Sequence, residues 1–145
     1  MITIKSGREI QLMRDTGKLA AKTLRFIEGK LRPGMSTAEV DKLAHDYMVA
    51  RGAKPATLGY NGFPASCCTS RNEVICHGIP SEKDILKDGD IFNVDVTSIL
   101  KGFHGDTNRT FLIGDVRPEY KRLVEVTYQC MMAGIAVCRP GARVG

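Results

Sequence analysis

Residues 90–113 constrain the fold of this chain more than any other stretch, because they read as one β-hairpin. Asn93, Asp95 and Thr97 alternate with Phe92, Val94 and Val96, the period of a strand with one polar and one apolar face. Lys101-Gly102 then supplies a two-residue turn, and the chain returns from Phe103 to Ile113. With those two residues at the centre of the turn, Asp95 stands opposite Asn108 and Thr97 opposite Asp106. The two aspartates become diagonal neighbours on one face, with Cα atoms roughly 7–8 Å apart. A slip of one residue would turn Asp106 to the other face, so the turn decides the arrangement.

Two carboxylates aimed at one point repel, and one of them holds a proton unless a cation compensates. Aspartate oxygens suit divalent ions. The polar face is continuous through Asn93, Asp95, Thr97, His104, Asp106 and Asn108, which points to a metal or acid–base site. The alternative is a pair of solvated aspartates on an open sheet face.

Three further stretches narrow the choice. They are Asn72-Glu-Val-Ile-Cys-His-Gly-Ile-Pro80, Leu86-Lys-Asp-Gly-Asp-Ile-Phe-Asn-Val-Asp95 and Gly102-Phe-His-Gly-Asp106. With Leu58-Gly-Tyr-Asn-Gly-Phe-Pro64 and Arg139-Pro-Gly141, they make nearly the whole chain resemble type I methionine aminopeptidase. The resemblance implies an α/β (α+β) chain with the pita-bread fold, two pseudo-symmetric halves closing over a dinuclear metal centre. Residues 1–145 would be the N-terminal half of that catalytic domain, with the second half absent. The activity implied is metal-dependent removal of the N-terminal methionine from nascent proteins.

Carried over position by position, the resemblance makes Asp95 and Asp106 metal ligands, Asp106 bridging both ions. It makes His77 the catalytic histidine that also contacts the substrate. Tyr60, Phe63 and Cys68 fall at positions lining the pocket for the methionine side chain, where a thioether suits aromatic and sulfur neighbours. At Phe63 many relatives carry tyrosine. Asn72 and Val74 match positions whose carbonyls hold a monovalent cation in some relatives. The implied cofactors are two divalent ions (Co, Mn, Fe, Zn or similar), which activate water and stabilise developing charge.

One departure is large. The family uses five protein ligands, and two are found here. Beyond Asp106 there is no histidine, and the only glutamates are Glu119 and Glu125. The expectation is a chain inactive by itself, with exposed apolar surface that seeks a complementing second half. Two other readings remain at this stage, a non-catalytic pita-bread fragment that binds peptide or protein, and a relative of the proline-specific peptidases.

Composition sets the remaining bounds. A net charge of +5 and a pI near 9.0 permit contact with acidic surfaces, the ribosome included. The basic residues from Lys5 to Arg32 are interleaved with apolar helix positions, and no recognition-helix or RNA-binding signature appears. The partner expected is therefore the N-terminal methionine of nascent chains rather than a specific nucleic acid. Five cysteines, none in a Cys-x-x-Cys pair, read as free thiols of a reducing compartment. No apolar run is long enough for a signal or membrane span, so a cytoplasmic protein without membrane attachment is expected.

Helices are predicted elsewhere. Ser6 with Glu9 and Ser36 with Glu39 form capping boxes that open two of them. Ile10, Met13, Ala20, Leu24 and Ile27 give the first an apolar face, and Val40, Leu43, Ala44 and Met48 the second. A third runs from about Pro118 to Cys138. His45, on the second helix, reads as a surface or core histidine rather than a ligand.

Overall fold

The computed structural model describes residues 3–143. Both predicted capping boxes form, with the Ser6 and Ser36 side chains accepting from the Glu9 and Glu39 amides. They open helix α1 (Gly7–Glu28) and helix α2 (Thr37–Val49). Four strands follow, β1 (Lys54–Pro55), β2 (Cys68–Arg71), β3 (Ile91–Leu100) and β4 (Phe103–Leu112), then helix α3 (Pro118–Ala136).

The hairpin is as expected, down to its register. Asp95 pairs with Asn108 and Thr97 with Asp106. Lys101 and Gly102 have φ of 52° and 81°, both left-handed, as a type I′ turn requires. Strand β3 is the spine of a four-stranded antiparallel sheet. β4 lines one of its edges over its full length, while β2 and β1 share the other, against Phe92–Asp95 and Ser98–Ile99 respectively.

Helices α1 and α2 cover the apolar face of this sheet. Phe92, Val94 and Val96 from β3 are fully buried against Leu24, Ile27, Val40 and Met48. That face is not apolar throughout. Toward the turn it ends in Ser98 and Gly105, where helix and hairpin make backbone contact. The Thr16 hydroxyl donates to the Leu100 carbonyl (3.3 Å), and the Ser98 hydroxyl to the Thr16 carbonyl (3.5 Å).

The apolar face of α1 starts later than its sequence suggests. Ile10 and Met13 are about two-fifths exposed, at 41% and 42%, and burial begins at Thr16 and Leu19. Over the first two turns the apolar side chains are only partly covered. Helix α3 is the extreme case, with no buried residue along its length. Among the described residues no helix is long and apolar enough to cross a membrane.

The capping boxes carry a pH signature. The Ser36 amide, donating to the Glu39 carboxylate at 2.7 Å, holds that carboxylate below its ordinary value. Its contribution to stability is therefore present above the unfolded value of about 4.3 and lost as pH falls through the lowered folded one. Glu39→Gln keeps the reach of the side chain but loses the charge. Urea midpoints of wild type and E39Q should differ at pH 6 and converge as pH falls through the lowered folded value. A gap of constant size would show that charge plays no part.

Candidate metal centre

The polar face of the hairpin forms the floor of an open cleft of about 820 Å³. Asp95, Thr97, His104 and Asp106 project from it. The opposite wall is the segment around a short 3-10 turn, Tyr60–Gly62, with Tyr60, Phe63 and Pro64 lining the cleft. Asn61 sits in the left-handed region at φ 48°, flanked by Gly59 and Gly62 at 82° and 81°. Those three positions curl the backbone so that both aromatic rings face one side.

Cys68 enters from β2 directly opposite Asp95. Burial, reinforced by the Asp95 charge, pushes its thiol up to about 11. It therefore presents a neutral S–H to the cleft rather than a thiolate. His77 comes from the loop between β2 and β3, at φ 55°. Its neighbour Gly78 fixes that placement. Gly78 accepts from the Thr69 amide at 2.9 Å, and a Cβ there would lie 2.0 Å from the Thr69 carbonyl oxygen. The base of the same loop is tied by Asp90, which accepts from Asn72 Nδ2 and the Lys87 amide at 2.8 Å each and pairs with Arg71.

The six residues singled out in the sequence, Tyr60, Phe63, Cys68, His77, Asp95 and Asp106, thus all line one cleft. No role was expected of Thr57, Asn61 or Ile79, which line it too, as does Thr97 from the polar face of the hairpin. Each lies within three residues of a singled-out position, so the signal was proximity rather than residue type. His45 is elsewhere, its Nδ1 2.8 Å from the Ser66 hydroxyl, as expected of a histidine in a structural contact. Glu119 and Glu125 lie on α3, exposed.

Asp95 Oδ1 is buried and has no hydrogen-bond partner. Burial raises the Asp95 carboxyl above its ordinary value, and the Asp106 charge raises it further, with a small opposing effect from His77. An orphaned carboxylate oxygen beside a second carboxylate is unfavourable unless a proton or a cation joins them. Oxygen donors of this kind fit a divalent ion. Two carboxylates do not complete a coordination shell, however. Among the described residues no group of three or more His, Cys, Asp or Glu side chains converges.

Comparison with known proteins gives a consistent picture. Residues 11–145 match the model of metallopeptidase family M24. The chain is 50% identical over 144 residues to methionine aminopeptidase A of Synechocystis, covering 99% of this chain and 57% of that protein. It is likewise 50% identical to the methionine aminopeptidase of Rickettsia prowazekii, covering 55% of it. The crystal structure of the Rickettsia prowazekii enzyme superposes with a TM-score of 0.98 over all of this chain and 58% of that one. The prolidase of Pyrococcus horikoshii, at 20% identity and a TM-score of 0.79, shares the fold. The chain therefore spans little more than half the length of the relatives it matches.

Proposed function

The chain belongs to metallopeptidase family M24, and from that premise we propose that it is the first half of a methionine aminopeptidase catalytic domain. The observation that carries this reading is the orphaned Asp95 oxygen beside Asp106 on the floor of a cleft walled by Tyr60, Phe63 and Cys68. Asp95 and Asp106 would hold divalent metal. Metal bound there supplies Lewis-acid polarisation and lowers the pKa of water.

The remaining residues have distinct tasks. Tyr60, Phe63 and the neutral Cys68 thiol would bind an unbranched thioether side chain by dispersion and sulfur–aromatic contact. They orient the first peptide bond over the carboxylates. His77 Nδ1 or Nε2, at the rim, would donate to the carbonyl oxygen of that bond as negative charge develops on it.

The surface supports a missing counterpart. The accessible area is 9891 Å², whereas a compact monomer of this mass exposes roughly 7,400 Å². The excess of roughly 2,500 Å² is larger than the ~800 Å² that one partner buries in a standard interface. Helix α3 contributes much of it, with Leu123, Tyr128, Met131 and Ile135 each more than half exposed. A helix apolar on several sides belongs inside a larger assembly. A second half packed on α3 would supply the ligands that complete the metal shell.

Co-expression with the C-terminal part of the Rickettsia prowazekii relative tests the proposal. The chain alone should release no methionine from a Met-Ala-Ser peptide. The co-purified pair should release it with added divalent metal and stop on chelation. A pair that assembles, binds metal and cleaves only Xaa-Pro bonds would overturn the substrate assignment. A pair that assembles and binds no metal would overturn the site.

A further inference from the structure

Within the aminopeptidase reading, on which this rests, we infer that Asp41 is a positioning residue that fixes the Phe63–Cys68 wall of the side-chain subsite, with His45 as a second grip. The two ends of that stretch line the cleft, Phe63 and Pro64 at one and Cys68 at the other. Between them Ala65, Ser66 and Cys67 are buried.

The buried stretch has little backbone support of its own. Pro64 has no N–H to donate, and among the described residues none of residues 64–67 makes a backbone-to-backbone hydrogen bond. The ladder with β3 begins only at Cys68. The support comes instead from α2. Asp41 Oδ1 accepts from both the Ser66 amide, at 2.8 Å, and the Cys67 amide, at 2.9 Å. One turn further along, His45 Nδ1 lies 2.8 Å from the Ser66 hydroxyl. Residues four apart share a helix face, so both grips come from one side of α2. The helix is itself anchored, with Val40, Ala44 and Met48 fully buried in the core. The pocket wall is therefore tied to the rigid covering layer.

Asp, His and Ser in one cluster also suggest a nucleophilic trio, and the geometry excludes it. Asp41 Oδ1 is aimed at two amides, and among the described residues no hydrogen bond joins Asp41 to His45. Ser66 is 3% exposed, so no substrate reaches its hydroxyl. The cluster holds rather than reacts. A hydrogen bond to a carboxylate is about twice as strong as one between neutral groups. Two of them on one oxygen, from adjacent amides, set both the position and the direction of the chain as it enters β2. Cys68 is the next residue, opposite Asp95 across the ladder. A change at Asp41 thus moves the pocket wall without touching substrate or metal.

Two readouts test the clasp. In the chain alone, iodoacetamide labelling of Cys68, resolved from Cys67 by peptide fragmentation, should quicken on the order of tenfold in Asp41→Ala, the equivalent of one lost hydrogen bond to a charged group. Asp41→Asn keeps an oxygen acceptor without the charge and should stay near wild type. Exposed Cys76 should label alike in all variants. In the complemented pair, D41A should narrow the ratio of kcat/KM for Met-Ala-Ser over Leu-Ala-Ser on the order of tenfold, as a misfitted apolar pocket does. D41N should restore most of that ratio. His45→Ala should narrow it less, and it carries the test if circular dichroism shows D41A unfolded. Labelling of D41A at the wild-type rate would overturn the clasp. So would D41N that labels as fast as D41A, or a loss shared equally by both peptides, the mark of a purely structural role. Labelling as expected beside a wild-type pair that releases no methionine would overturn the aminopeptidase reading and leave the clasp standing.

Discussion

Asp95→Asn should reduce methionine release by the complemented pair on the order of 10³-fold or more, because it removes a carboxylate on which metal-assisted charge stabilisation depends. Calorimetric titration with divalent metal should show uptake lost with it. The same substitution should not weaken the metal-free fold. Asp95 holds its proton more readily when folded than when unfolded, because it is buried and faces Asp106. Its ionisation therefore costs stability as pH rises from the ordinary aspartate value, about 3.9, through the raised folded one. Above that window, in chelator, D95N should melt at or above the wild-type temperature; below it the two should coincide. Retained activity at saturating metal would refute the assignment of Asp95. Lower stability of D95N at every pH would refute the orphaned oxygen as its cause.

Gly105→Ala should be strongly destabilising, because the added methyl has no room between helix α1 and the hairpin. A Cβ at Gly105 would lie 2.6 Å from the Thr16 carbonyl carbon and oxygen and 2.7 Å from the Gly17 nitrogen. These are backbone atoms of α1, so no side chain can swing aside. Overpacking of this kind costs about 3 kcal/mol, and for a chain of this size the melting temperature should fall by roughly 10 °C. Gly134→Ala is the control, since nothing lies within 4 Å of its Cβ position. It should leave the main transition where it is. If G105A melted with wild type, the close approach of α1 to the hairpin would be wrong.

Some features needed only local chemistry to be read. The capping boxes at Ser6 and Ser36 are written in four residues each and form as read. The hairpin was equally legible, because strict alternation and a Lys-Gly turn leave one register. From register alone Asp95 and Asp106 fall on one face. Ile10 and Met13 keep the helical period yet stay about two-fifths exposed, since period says which residues share a face but not whether anything covers it.

The sequence by itself determined the hairpin, the caps and the pairing of the two aspartates, because those depend on backbone sterics and contacts between near neighbours along the chain. Only the tertiary structure decided that Tyr60, Phe63, Cys68 and His77 share one cleft with them, and that Gly105 lets α1 reach the sheet. It also decided that α3 is left bare. Those outcomes depend on contacts between residues far apart in the chain. Such contacts exist only after the segments are brought together, and apart from the family resemblance no local period foretells them.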